Sequence, residues 1–361
     1  MISCVELVFA ALAIVAPSDG GRVPVLFPVQ KEYMALPTEK RFSMVNSSEE
    51  RVKLLSGGQY QPPLRLEWEG PTNGIYRLEI GVSGSGRIQR FAITNRTHVY
   101  MTNLELAREY DWKVSGRDGS AAGRFVTEDT PPRLIRVEGV RNFRDIGGWK
   151  GLGGRRVRQD MIFRSAGLRA SAQKKSGSFI SAKYEPGTQR VTEKGIRTLR
   201  EIGIRTNLEL RRPTETVCMH SSVIGSDVKW VCEQLVAYDF IDNHERGRVQ
   251  FAKIFPLFLE KANYPVLFHC SGGRDRTGTL AFLLGALLGV GKDDLCRDWE
   301  ATVFTEASVA FGSSRISSLV SYLESLGGGD VVAGAEKYAD LCGITEEQIA
   351  RFRELMLEDV R

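Results

Sequence analysis

"VLFHCSGGRDRTGTLAFLLGALLGV", residues 266–290, is two apolar segments joined by a short polar one. Val266 to Cys270 is brief and uncharged, the pattern of a buried strand. From about Thr277 the chain is Leu- and Ala-rich for three turns, which predicts a buried helix. Between them lie Ser271, Gly272, Gly273, Arg274, Asp275 and Arg276. A buried strand feeding a buried helix is the unit of a parallel sheet, and ligands bind such sheets at the carboxyl ends of the strands. The polar joint therefore falls where chemistry is expected.

Each residue type in the joint has a physical use. A curled loop can turn successive N–H groups inward as an anion nest, which the helix N-terminus completes. Gly272 and Gly273 supply backbone angles that other residues adopt only at a cost. Arg276 presents a planar fork matched to two oxygens of a phosphoryl group. The same positive field favours a thiolate, so Cys270 reads as a nucleophile toward a phosphate held by Ser271, Gly272, Gly273, Arg274, Thr277 and Gly278. Thr277 is placed to donate to the sulfur, and His269 to orient it. The leaving oxygen needs a proton. Asp275 is the first candidate donor, Glu209 the second, and Asp239 or Asp242 the third. A lone buried cysteine is more often a small core residue, but two arginines beside it have no structural use without partners.

Beyond this joint the chain has two rhythms. Residues 131–361 alternate helices and strands, predicting an α/β domain with a mainly parallel sheet flanked by helices. "IRTLREIGI" and "VQFAKIFPLFLEKA" read as helices, "RTNLELR", "DVKWVCEQL" and "YPVLFHC" as strands, and polar helices run to the C-terminus. Residues 170–187 are Ser-, Lys- and Gly-rich, aperiodic, and read as a loop. Residues 62–130 are short alternating strands divided by turns such as "GPTNG" and "SGSG", the signature of an all-β sandwich. Residues 17–61 read as a polar, helical lead-in. The apolar stretch within 1–16 reads as a degenerate export signal, implying a periplasmic or secreted protein, with a strand in a cytoplasmic protein as the alternative.

Composition narrows the class. Hydrophobic residues make up 42% and charged residues 26% of 361, ordinary for a folded protein. A net charge of +5 without a basic tract fits a small anionic substrate and not nucleic acid. The six cysteines form no C-x-x-C pair and the four histidines lack ligand spacing, so no metal or other cofactor is expected. Cysteines other than Cys270 read as core thiols, the sequons at Asn46 and Asn95 carry no weight, and no segment reaches transmembrane length.

The H-C-x5-R-T spacing marks the cysteine-dependent tyrosine phosphatase superfamily. "HCSGGRDRTG" resembles the HCxxGKDRTG loop of its bacterial branch. So do "NFRDIGGW" (142–149), "GRRVRQDMIFRSAGL" (154–168) and "ELR" (209–211), in the family's order. The likeness spans about residues 135–361. It implies hydrolysis of phosphotyrosine, or of a phosphorylated lipid or small molecule. Cys270 would be the nucleophile, Arg276 the phosphate binder and Asp275 the acid, with Arg144, Asp145 and Arg164 in support. Two departures stand out: the family's loop Lys is Arg274, and the Asp of its DLR is Glu209. The strings "PPLRLEW" and "LELAREYDWKV" are similar to a fibronectin type III domain, in which Trp68 would be the core tryptophan and Tyr110 the corner tyrosine. That domain has no visible chemistry and would contact another protein or a glycan.

Other readings keep the loop and change the function: a phosphoinositide or inositol-phosphate phosphatase, or an inactive module that binds phosphorylated ligands. An arsenate reductase would need a resolving cysteine near Cys270, and none follows until Cys296.

Overall fold

The computed structural model describes residues 12–360 except 39, 42–43, 45–46, 57, 118, 172–186, 238–243 and 306–313. The chain divides into two compact units: Met1–Phe27 with Gln61–Thr130, and Pro28–Tyr60 with Pro131–Arg361. The lead-in expected over 17–61 is thus split. Its first part joins the β unit and its second the larger unit.

In the β unit, β1 (Ala13–Ala16) and β2 (Gly21–Val23) precede β3 (Leu64–Glu69), β4 (Ile75–Val82), β5 (Gln89–Thr94), β6 (His98–Met101), β7 (Glu109–Gly116) and β8 (Gly119–Thr127). They form a three-stranded sheet, β1-β3-β6, and a five-stranded sheet, β2-β8-β7-β4-β5. Alternation decides which side chains go inward. Leu66 and Trp68 of one sheet share a core with Leu78, Trp112, Val114 and Phe125 of the other. The first eleven residues of the expected export segment lie outside the described ones. Ala13–Ala16 pairs antiparallel with β3, so part of the segment that reads as a leader also has a place in a sheet.

In the larger unit, α1 (Pro28–Ala35) and α2 (Ser48–Ser56) fall in sequence between the two stretches of the β unit. After it come β9 (Arg144–Asp145), β10 (Arg156–Val157), β11 (Ile162–Ala166), α3 (Glu193–Ile202), β12 (Thr206–Glu209), α4 (Pro213–Thr216), β13 (Lys229–Cys232), α5 (His244–Ile254) and β14 (Val266–Cys270). Then follow α6 (Asp275–Leu287), α7 (Lys292–Glu300), α8 (Ser314–Leu326), α9 (Val331–Leu341), α10 (Glu346–Met356) and β15 (Leu357–Glu358). The main sheet has the order β13-β12-β14-β11-β9. Its first four strands run parallel and the two-residue β9 closes the edge antiparallel. The mainly parallel sheet flanked by helices is what the sequence pattern predicts. Strand β11 and helix α9 are additions that the pattern did not reveal.

Local signals set the boundaries. Thr192 accepts from Gly195 N–H to start α3, and Gly203, at φ 85°, ends it. Helix α6 is buried at every position from Thr277 to Leu287. It packs on β14 and β11 and against α7 and α9, which accounts for its apolar character on all sides. Full burial of each of its leucines contributes about 1.5–3 kcal/mol. That burial holds the N-terminus of α6 rigidly at the end of β14. No helix among the described residues is long and apolar enough to cross a membrane. Cys218 and Cys232, read as core thiols, are exposed.

Candidate active site

β14 is the central strand, flanked by β12 and β11, so the residue that ends it is walled on both sides. Cys270 is that residue. It stands in register with Ala166 at the end of β11 and is 3% exposed. The loop from Ser271 to Arg274 then delivers the chain to Asp275, the first residue of α6. Gly273 has φ +70°, and a Cβ there would fall 2.5 Å from the Ser165 carbonyl. Glycine is required at that position by angle and by space together. At Gly272 a Cβ would meet nothing within 4 Å.

Arg276 is gripped by Glu215 of α4: Nη1 lies 2.6 Å from Oε2, and Nη2 3.1 Å from Oε1. Nη2 also reaches Ser271 Oγ at 3.4 Å. Burial opposes the charge on Glu215, but Arg276 outweighs it and brings the carboxyl down to about 2. The guanidinium of Arg276 is held above its ordinary value, since burial is outweighed by Glu215 and Cys270.

His269 is buried. Its Nε2 sits 2.7 Å from Asn207 Oδ1, a carbonyl oxygen that only accepts, so Nε2 carries the proton. Desolvation brings its pKa down to about 4, leaving the ring neutral. Glu209, beside His269 on β12, binds Arg211 through Oε1 at 2.8 Å and Oε2 at 2.6 Å. Burial opposes the charge on Glu209, yet His269 and Arg211 hold its carboxyl below the ordinary range. With His269 neutral, Arg211 supplies that stabilisation. Glu209 is fully buried with both oxygens committed to Arg211, out of reach of a departing group, so it orients Arg211.

Arg144 and Arg164, 1% and 0% exposed, sit behind the loop. Arg164 Nη2 donates to Gly273 O at 2.9 Å. Arg144 donates to Asn142 Oδ1, and Asn142 Nδ2 in turn reaches Gly272 O at 3.2 Å and Gly273 O at 3.1 Å. Asp298 of α7 accepts from both arginines. Burial and Arg164 lower Arg144 to about 10, which leaves it charged. Asp145 faces away from this group, accepting from Arg133 at 2.9 Å and from the Gly147 and Asp160 N–H groups at 2.7 Å each. Arg144, Arg164 and Asp145 therefore brace the fold behind the loop.

The remaining expected residues divide in the same way. Asp275 takes the Arg274 fork at 3.0 and 3.2 Å, and both side chains are about one-third exposed. Thr277 is buried and its Oγ1 has no hydrogen-bond partner among the described residues, so the expected bond to the Cys270 sulfur is not made. A Cβ on Gly278 would fall 2.6 Å from the Trp299 ring, so that glycine serves packing. Asp239 and Asp242 lie outside the described residues, as does most of the loop expected at 170–187. Among the described residues no group of three or more His, Cys, Asp or Glu is placed to hold a metal ion. Sequence reasoning missed Glu215, Asp298 and the role of Asn142. Glu215 stands in an unremarkable "PTET", and only the turn after β12 brings it to Arg276.

The sequence model of the Tyrosine phosphatase family matches residues 135–182 and 186–358. A provisionally named tyrosine-protein phosphatase of Cupriavidus necator is 27% identical over 188 residues, which is 46% of this chain. The chain spans about three fifths of that curated relative's length (61%). Among solved structures, the core catalytic domain of the PP-IP phosphatase SIW14 from S. cerevisiae, in complex with citrate, is 18% identical. It covers 40% of this chain and 71% of its own, at a TM-score of 0.27, a likeness too slight to bear on the fold.

Proposed function

The chain belongs to the tyrosine phosphatase family, and from that premise we propose that it is a phosphomonoester hydrolase of protein tyrosine phosphatase type, working through a cysteinyl-phosphate on Cys270. The observation that carries this reading is the Arg276 guanidinium, fixed by Glu215 beside a glycine loop that starts at a buried cysteine. Cys270 Sγ attacks phosphorus in line, the S–P bond forms, and the P–O bond to the leaving group breaks. Arg276 and the loop amides balance the charge on the equatorial oxygens. Asp275, at the mouth on the first turn of α6, gives its proton to the departing oxygen. Water then attacks phosphorus, Asp275 takes up the water's proton, and the thiolate is released.

The test is hydrolysis of p-nitrophenyl phosphate, a phosphotyrosine peptide, phosphoinositides and inositol phosphates in the presence of EDTA, with wild type and Cys270→Ser. Activity on the phosphotyrosine peptide, loss in the variant and a phosphorylated Cys270 peptide after acid quench support the reading. Activity that survives in Cys270→Ser, or that EDTA abolishes, overturns it. Asp275→Asn should slow the peptide more than p-nitrophenyl phosphate, whose leaving group needs little protonation. Equal losses would remove Asp275 from the acid's role.

The β unit is read as fibronectin type III-like, a recognition module for a protein or glycan. Supporting this, the Tyr110 hydroxyl accepts from Glu105 N–H at 2.9 Å, a corner bond five residues back, and Trp68 is buried between the sheets. Export remains part of the proposal, and N-terminal sequencing of the native protein tests it.

A further inference from the structure

Residues 28–60 lie in sequence between the two stretches of the β unit and outside the family match, which begins at 135. They nevertheless pack with the larger unit, and where they touch it is specific. Gln59 Oε1 accepts from Asn142 N–H at 3.1 Å. Asn142 is the residue whose side chain holds the Gly272 and Gly273 carbonyls, and its backbone takes the left-handed φ of 57°. The amide of Gln59 is oriented from its other end: Nε2 donates to the Tyr60 hydroxyl at 3.1 Å, and the Arg136 guanidinium lies 5.4 Å from the Tyr60 ring centroid.

The same segment holds the other side of the brace. Arg41, fully buried, donates Nε to the Glu300 carboxylate and Nη2 to Thr38 Oγ1 at 3.2 Å. Arg297 Nε donates to Met34 O at 3.0 Å, and the Tyr33 and Phe304 rings meet edge-on with centroids 5.7 Å apart. Arg297 and Glu300 flank Asp298, the carboxylate that secures Arg144 and Arg164. Thr302, just beyond, contacts Asn142 Nδ2 at 3.3 Å.

We infer that the 28–60 segment is a built-in clamp for the phosphate loop and that Gln59 is a positioning residue, setting the loop carbonyls through Asn142. A phosphate cradle works only when its donors are held to within about half an ångström. Fixing the turned-over Asn142 backbone at its N–H is what keeps its side chain on two successive loop carbonyls. The inference rests on the phosphate-loop reading above.

Gln59→Leu removes the acceptor, whereas Gln59→Glu keeps an oxygen toward Asn142 N–H and lets the Tyr60 hydroxyl donate. In Gln59→Leu the competitive Ki for orthovanadate should rise and kcat/KM fall by roughly tenfold, while thermal unfolding stays near wild type. Gln59→Glu should recover most of both. Hydrogen exchange in the 270–276 peptide should quicken in Gln59→Leu alone, a readout that does not need turnover. Unchanged Ki and exchange in Gln59→Leu, or a Gln59→Glu variant as impaired as Gln59→Leu, overturns the inference. Phosphate protection of Cys270 from alkylation separates the two ideas. Its absence in wild type sinks the phosphate-loop reading. Undiminished protection in Gln59→Leu sinks only the clamp.

Discussion

Glu215 and Arg276 face each other as a two-pronged ion pair at the mouth of the loop, at 2.6 and 3.1 Å, although 61 residues separate them. The carboxylate takes an N–H from each terminal nitrogen of the fork and so decides which way the guanidinium points. On the proposed function, Arg276 is thereby aimed before a phosphate arrives, and no binding energy is spent in ordering it.

Glu215→Gln keeps the shape and removes the charge. Arg276 gains freedom, and kcat/KM for an aryl phosphate should fall by up to roughly a hundredfold, in line with misplacement by about an ångström. Steady-state kinetics beside a circular-dichroism melt measure this. Full activity in a folded variant would mean that Arg276 is aimed by something else.

His269 should leave a signature in stability and not in the pH–rate profile. Its folded pKa of about 4 lies below the unfolded value near 6.5. Between those two values the unfolded chain binds a proton that the folded chain refuses. Stability is therefore intact above pH 6.5 and falls by roughly 3 kcal/mol as pH drops to 4. Glu215 behaves differently: its folded value of about 2 contributes stability that persists until pH falls below about 4.5. Urea unfolding from pH 7 to 4 should show this slope in wild type and a shallower one in His269→Gln. Identical slopes would show that His269 binds protons alike in the folded and unfolded chain.

The two loop glycines should respond in opposite ways. Gly273→Ala must hold a side chain at φ +70° with its methyl 2.5 Å from the Ser165 carbonyl. A loss of about 1–3 kcal/mol and most activity is expected. Gly272→Ala meets open space and should melt like wild type. Equal melting temperatures for the two variants would contradict the loop geometry.

Asp298→Asn leaves Arg144 and Arg164 buried behind the loop without their shared counter-charge. Removing one member of a buried ionic group costs about 3–5 kcal/mol, read directly by chemical denaturation. A loss below 1 kcal/mol would mean that another group neutralises the arginines.

Some of this could be read without coordinates because it is local. The strand "VLFHC" and helix "GTLAFLLGALLG" announce themselves by apolar runs, and the loop by its glycines and its spacing from Cys270 to Arg276. The strands of the β unit alternate because one face of each is buried. Helix α9, "VVAGAEKYADL", escaped notice because its small residues blur the helical period. The support of the site was not legible for a different reason. Asn142, Glu215 and Asp298 are polar residues in ordinary surroundings, and nothing nearby in sequence says what they will touch.

By itself, then, the sequence determined the buried strand ending at Cys270, the glycine loop after it and the buried helix that follows, because backbone periodicity and loop chemistry act over a few residues. Tertiary structure alone decided that Glu215 holds Arg276, that Glu209 is committed to Arg211, and that Gln59 meets Asn142 across 83 residues of chain. Those pairings arise because buried charges and amides must each find a partner, and the partner available is fixed by how the elements pack.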